Sequence, residues 1–91
     1  IFVIIAVIDT NTGKVKNSPD IISRGFVYLR ESQELLRATR FLIRKTIEEA
    51  TVEMHPVNID YVKNNLRERV ADFLFKKTRR RPMVLPVILE V

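Results

Sequence analysis

The stretch FVIIAVI, residues 2–8, decides the fold, because it is apolar, mostly β-branched and not interrupted by polar residues. A strand of this kind is typical of a sheet that is covered on both faces. The run is far shorter than the roughly 20 apolar residues that span a bilayer, so we expect a strand and no membrane partner. The chain begins without methionine and already inside this strand, which suggests a piece cut from a longer protein.

Composition restricts the function classes. The chain has 91 residues, 46% of them apolar and 30% charged, which predicts a single globular domain over residues 1–91. There are no cysteines, so disulfides are excluded and a cytoplasmic location fits best. His55 is the one histidine, next to Pro56 in a connection, and we interpret it as a loop residue. Both glycines stand alone, and no nucleophile lies beside a base, so we predict no catalytic, cofactor-binding or metal residue in this domain.

Residue types that favour turns separate the predicted strands in the first third of the chain. Residues 9–13, DTNTG, predict a turn after the first strand, and a short extended stretch is expected at 14–16. Residues 17–20, NSPD, predict a second turn. The apolar residues 26–29 predict the second strand.

Helical periodicity dominates the middle of the chain. Residues 31–52 predict one amphipathic helix, and a second begins after Asn58 as N-cap and ends near Thr78. Residues 82–91 predict the last strand. The order β-β-α-α-β predicts an α+β, two-layer sandwich in which two helices cover one face of a three-stranded sheet.

This layout leaves one sheet face without a cover. The first and last strands are apolar on both sides, whereas the two helices can cover only one side, and a large exposed apolar patch usually marks an interface. We therefore predict self-association, which a lysine on the outward face should disrupt, although the sequence does not indicate which face is outward. Pro86 indicates an edge or kinked strand. The interface candidates are Phe41, Phe75, Val84 and Ile88.

Positive charge is concentrated near the end of the second helix. The net charge is +5, but residues 63–81 carry eight basic and two acidic residues, a local excess of +6. Such a concentration is typical of a polyanion-binding surface. A solvated helix end is the alternative, in which arginines bind the last carbonyls or pair with Glu31, Glu90 or a partner subunit. The RNA-contact candidates are Lys76, Lys77, Arg79, Arg80 and Arg81.

Two motifs resemble a known family. PDIISRGFVYLRES at 19–32 and KKTRRRPMVLPVILEV at 76–91 are similar to the closing domain of ribonuclease J, of the metallo-β-lactamase and β-CASP ribonucleases. The resemblance covers essentially the whole chain, and the motifs fall in the family's order. It implies a parent enzyme that is a 5′-to-3′ exonuclease and endonuclease with two zinc ions. Its histidine- and aspartate-rich motifs are absent here, so no catalytic or metal residue carries over.

What the resemblance implies for this chain is an accessory domain. Its expected partners are the catalytic domain of the same chain, further copies in a homo-oligomer, and RNA, contacted through phosphates by the parent enzyme. The alternative is a stand-alone RNA-binding module that uses the basic run 76–81. A free-standing enzyme is the third hypothesis.

Overall fold

The computed structural model describes residues 1–24, 33–52 and 56–91. Strands β1 (Phe2–Ile8), β2 (Val15–Ser23) and β3 (Val84–Glu90) and helices α1 (Gln33–Ala50) and α2 (Ile59–Thr78) follow one another in the order β-β-α-α-β. The predicted α+β sandwich is thereby confirmed. The strand expected at 26–29, the first residues of the first predicted helix and His55 lie outside the described residues.

Strand β1 is the central strand of the sheet. The order is β2-β1-β3, with β2 antiparallel and β3 parallel to β1. The register places Val3 beside Leu85, and Ile5 beside Val87. Parallel pairing is possible because both helices lie between β2 and β3 in the sequence and return the chain to the starting end of β1. β3 is an edge strand, as Pro86 indicated.

The predicted turn at 17–20 is wrong, because these residues lie within β2. Ile5 pairs with Asp20 and Val7 with Lys16, so three β2 residues lie opposite Ala6 alone. Asn17 has a left-handed φ of 60° at this bulge. Turn-forming residue types suit a bulge as well as a turn, because both require unusual backbone angles.

Two helices cover one face of the sheet. α1 packs on β2, α2 packs on β3, and the helices pack on each other. Asn58 caps α2 as predicted, and its side chain accepts a hydrogen bond from the Tyr61 N–H at 3.1 Å. The core brings together the side chains of alternate β1 residues and one stripe of each helix, including Phe2, Ile4, Ile8, Ile43, Ile47, Leu66 and Leu74, all fully buried. Each contributes roughly 1.5–3 kcal/mol through burial.

The turn between β1 and β2 is fixed against the end of α1. Gly13 has a φ of +75° and donates its N–H to the Asp9 carbonyl at 2.7 Å. The Thr51 hydroxyl donates toward carbonyls, at 3.1 Å to Gly13 O and at 2.9 Å to Ile47 O. A Cβ at position 13 would lie 2.6 Å from Thr51 Oγ1, closer than atoms can approach. Gly13 is therefore required both for its backbone angle and for its lack of a side chain.

Gly13→Ala should lower the free energy of unfolding by at least about 2 kcal/mol, because a left-handed φ alone costs alanine roughly 1–2 kcal/mol. Urea unfolding followed by circular dichroism measures this. Gly13→Asn is the control, since asparagine tolerates the left-handed φ but still meets Thr51. If the close contact matters, the asparagine variant remains destabilised; full stability in both variants would contradict the geometry.

Candidate interaction surfaces

The side of the sheet that faces away from the helices carries a row of apolar side chains. On β3 and its approach the outward residues are Met83, Leu85, Val87 and Leu89, with 65%, 41%, 41% and 50% of their surface exposed. Val3, Ile5 and Val7 of β1 lie beside this row and are half-buried by the neighbouring strands. We call this surface the free sheet face: Val3, Ile5, Val7, Met83, Leu85, Val87 and Leu89.

Strand β2 adds one apolar and two charged residues to this side of the sheet. Ile22 lies beside Val3, but Asp20 lies beside Ile5 and Lys16 beside Val7. Both charged residues are exposed. The surface is therefore apolar on β1 and β3 and carries one negative and one positive charge along its β2 side.

The four interface candidates from the sequence do not form one surface. Val84 is 5% exposed and belongs to the core, and Ile88 packs against that core from the helix-covered face. Phe41, 66% exposed, lies on α1, and Phe75, 38% exposed, lies on α2. Leu85 and Val87, rather than Val84 and Ile88, are the β3 residues that face outward. The sequence could not decide between the two sets, because both are apolar.

The basic run begins in the last turn of α2 and continues past its end. Arg79 is the C-cap, with a left-handed φ of 62°, and its N–H donates to the Phe75 carbonyl at 2.7 Å. The Thr78 hydroxyl donates to the Leu74 carbonyl at 2.7 Å, and the Arg80 N–H approaches that hydroxyl at 3.2 Å. The chain is thereby turned back along the helix.

Two phenylalanine rings lie under the basic side chains. The guanidinium carbons of Arg79 and Arg81 lie 5.9 and 5.6 Å from the centre of the Phe75 ring. The Lys77 ammonium lies 5.8 Å from the centre of the Phe73 ring. These are cation–π distances, worth roughly 0.5–1 kcal/mol each at an exposed site. We call Lys76, Lys77, Arg79, Arg80 and Arg81, together with Phe73 and Phe75, the cation cluster.

Part of the cation cluster is held by an ion pair. Arg81 Nη2 donates to Asp72 Oδ1 at 2.6 Å, with both side chains more than half exposed. Arg81 thus contacts α2 through both Asp72 and Phe75. This supports the structural interpretation of the basic run for Arg81, although the carboxylate that it contacts is Asp72 rather than Glu90, and Glu31 lies outside the described residues. The support from Phe75 was missed from the sequence, where an i to i+4 spacing of Phe75 and Arg79 was the available signal.

A shallow groove of about 380 Å³ runs between the outer sides of α1 and α2. Arg69 of α2 donates to Glu49 of α1 at 2.8 Å across it, and Lys45 lies 4.0 Å from the same carboxylate. The hydrogen bond from Arg69 lowers the pKa of Glu49 below its ordinary value of 4.5. This pair joins the two helices on the side away from the sheet, and Asp72 and Lys76 extend the mixed charge of the groove.

The residues needed for a metal site are not brought together. Within residues 1–24, 33–52 and 56–91, no group of three histidine, cysteine, aspartate or glutamate side chains is placed to hold a metal ion. The zinc ions implied by the family resemblance therefore have no ligand set in this part of the chain. In the same ranges, neither helix is long and apolar enough to cross a membrane.

Replacing Arg79 by glycine or by alanine should separate the cost of its backbone angle from the value of its side chain. Both variants lose the contact with Phe75, but only alanine keeps an unfavourable left-handed φ. We expect Arg79→Gly to be more stable than Arg79→Ala by about 1 kcal/mol. Urea unfolding of the two variants measures the difference, and equal stabilities would contradict a left-handed cap.

Comparison with known proteins places the chain in a family. The sequence profile of the "Ribonuclease J C-terminal domain" matches residues 1–91. The protein named "Ribonuclease J 2" of Staphylococcus epidermidis is 40% identical over 91 residues, which are 100% of this chain and 16% of the relative. "Ribonuclease J 2" of Staphylococcus aureus is 37% identical over the same share of both chains.

The chain thus spans about 16% of the length of these relatives. The profile covers the whole sequence, including both motifs that carried the resemblance, 19–32 and 76–91, so the resemblance is confirmed. The chain belongs to the ribonuclease J C-terminal domain family.

Proposed function

We propose that this chain is the accessory C-terminal domain of a cytoplasmic bacterial RNA-degrading enzyme, and that its free sheet face joins it to a second copy. The observation that carries the proposal is the apolar row on β1 and β3, which no helix covers in the described part of the chain. The parent enzyme would be a zinc-dependent 5′-to-3′ exonuclease and endonuclease whose metal ligands and catalytic groups lie outside these 91 residues. The domain itself contributes assembly, not chemistry.

A patch of this kind is better suited to association than to solvent. Four outward residues of one strand segment, Met83, Leu85, Val87 and Leu89, are each at least 41% exposed. Monomeric proteins seldom expose large contiguous apolar patches, and sheets commonly pack face to face through such residues. A domain of about 90 residues also buries a limited share of its surface alone, so association adds stability that the small core lacks.

The charges on β2 favour a second copy as the occupant. Lys16 and Asp20 both point to the free sheet face, beside Val7 and Ile5. Two copies can stack face to face about a two-fold axis that lies between their sheets and runs perpendicular to the strands. The two β2 strands then lie over each other and run in opposite directions. Asp20 of one copy then approaches Lys16 of the other, and the reverse pair forms as well. Such self-complementarity is what an isologous interface requires.

The first test places charge on the free sheet face. In the full-length parent protein, Leu85→Lys combined with Val87→Lys should convert a self-associated species into one with a single copy, because buried unpaired lysines are strongly unfavourable. Sedimentation velocity at tens of micromolar and far-ultraviolet circular dichroism give mass and helix content. Helix content should not change, because both side chains point away from the core.

The matched control adds the same two charges to the helix layer, through Gln33→Lys and Ala38→Lys at exposed positions. Its mass should equal that of the unmodified protein. A parent protein that is already monomeric, or a sheet-face variant that stays associated, would contradict the proposal. If that variant keeps its mass but becomes sensitive to protease between the domains, the catalytic part, not a second copy, covers the face.

The second test exchanges the charges of β2. Asp20→Lys alone should weaken association, since two lysines of each copy then face those of the other. Adding Lys16→Asp restores opposite charges across the two-fold axis and should restore the association. Each exposed ion pair is worth about 0.2–1 kcal/mol, so two pairs predict a change of up to about thirtyfold in the dissociation constant. A double variant as weak as the single variant would contradict the two-fold arrangement.

A further inference from the structure

The cation cluster combines high positive charge with very little acid. It holds five basic residues within six positions, all of them exposed, and in the described part of the chain Arg81 of the cluster pairs with the carboxylate of Asp72. Residues 63–81 as a whole carry a net charge of +6, against −1 for the remainder of the chain. Dipole compensation at a helix end requires only one or two cations, so the cluster exceeds what α2 needs.

The rings of Phe73 and Phe75 arrange these cations. Arg79 and Arg81 both lie over the Phe75 ring, and Lys77 lies over the Phe73 ring. Contact with a ring restricts a long side chain that would otherwise be free, so less entropy is lost when it binds a ligand. A base that stacked on Phe75 would have to compete with these two guanidinium groups for the ring. The ring therefore serves as a support for cations in this structure.

The end of α2 is also prepared for a nearby anion. Helix C-termini repel anions through their last carbonyls. Here the Phe75 carbonyl accepts the Arg79 N–H, and the Leu74 carbonyl accepts the Thr78 hydroxyl. Of the last four carbonyls of α2, that of Phe75 is thus already bonded, and the repulsion is reduced where the arginines lie.

We propose that the cation cluster binds the sugar–phosphate backbone of single-stranded RNA, with Phe75 holding Arg79 and Arg81 in position. This rests on the proposed function, in which the parent protein acts on RNA. Guanidinium groups match the geometry of phosphate oxygens through paired hydrogen bonds. No base-reading group is involved, so binding is independent of sequence and sensitive to salt.

The experiment uses the full-length parent protein in a chelator that prevents cleavage. Arg79→Ala, Arg80→Ala and Arg81→Ala are combined, and the affinity for three unrelated single-stranded RNAs is measured at three salt concentrations. We expect a loss of about tenfold that is equal for the three RNAs, because phosphate contacts carry no sequence information. The slope of log affinity against log salt should become shallower by about 1.4–2.1, which corresponds to two or three lost contacts.

A matched control removes three charges elsewhere, through Lys14→Ala, Lys63→Ala and Arg67→Ala. These residues lie outside the cluster, and Arg67 contacts Asn64 rather than a ring. The control should change affinity by no more than about twofold, since only long-range attraction is reduced.

A second variant tests the support given by the ring without changing charge. Phe75→Leu should weaken RNA binding about two- to fivefold, the equivalent of one exposed cation–π contact, and should leave the salt slope unchanged. Phe41→Leu, at an exposed phenylalanine on α1, is the control and should have no effect. Equal effects of the two phenylalanine variants would overturn the role given to Phe75.

Several outcomes separate this inference from the proposed function. A parent protein that binds no RNA overturns both. RNA binding with an unchanged slope in the arginine variant overturns the inference alone. A loss of affinity that appears only together with a changed sedimentation profile also overturns it, because the arginines then act through assembly. Competition by polyglutamate as strong as that by RNA would assign the cluster to an acidic polypeptide instead.

Discussion

The packing of β1 against the helices is the constraint on which the rest of the structure depends. Phe2, Ile4, Ala6 and Ile8 point to one side and are completely buried. The same strand forms the hydrogen-bonded pairs with both neighbours, β2 and β3. Because side chains alternate along a strand, fixing this side toward the helices also fixes Val3, Ile5 and Val7 toward the other side. The free sheet face is therefore a direct consequence of the core.

The end of α2 connects the core to the charged surface. Leu74 is fully buried, whereas Phe75, the next residue, is partly exposed and carries Arg79 and Arg81 over its ring. The left-handed cap at Arg79 reverses the chain, so that Arg81 returns to Asp72 before β3 begins. The residues at the C-terminus of α2 thus have three roles: they end the helix, direct the chain into β3 and arrange the cations. A single change there is expected to affect all three roles.

Much of the fold was predictable, because periodicity identifies elements well. The apolar run of β1, the stripes of both helices, the Asn58 cap and the edge position of β3 all follow from residue types. The bulge in β2 does not follow from residue types, since Asn17 and Pro19 suit a turn equally well. The parallel pairing of β1 with β3 was not predicted either, because the sequence of one strand does not indicate the direction of its neighbour. The outward side of β3 was also undecided, because Val84 and Leu85 have the same hydrophobic character and only tertiary packing distinguishes them.

The two edges of the sheet explain why association is expected through the face. At the β3 edge, Pro86 has no N–H and cannot form a regular ladder with another strand. At the β2 edge, the bulge at Asn17 interrupts the regular backbone, and Arg44 of α1 donates to the Asn17 carbonyl at 2.9 Å and approaches the Val15 carbonyl at 3.5 Å. Both devices disfavour edge-to-edge pairing, the usual route to aggregation. Because pairing at both edges is disfavoured, we expect a partner to bind the free sheet face, on the side opposite the helices.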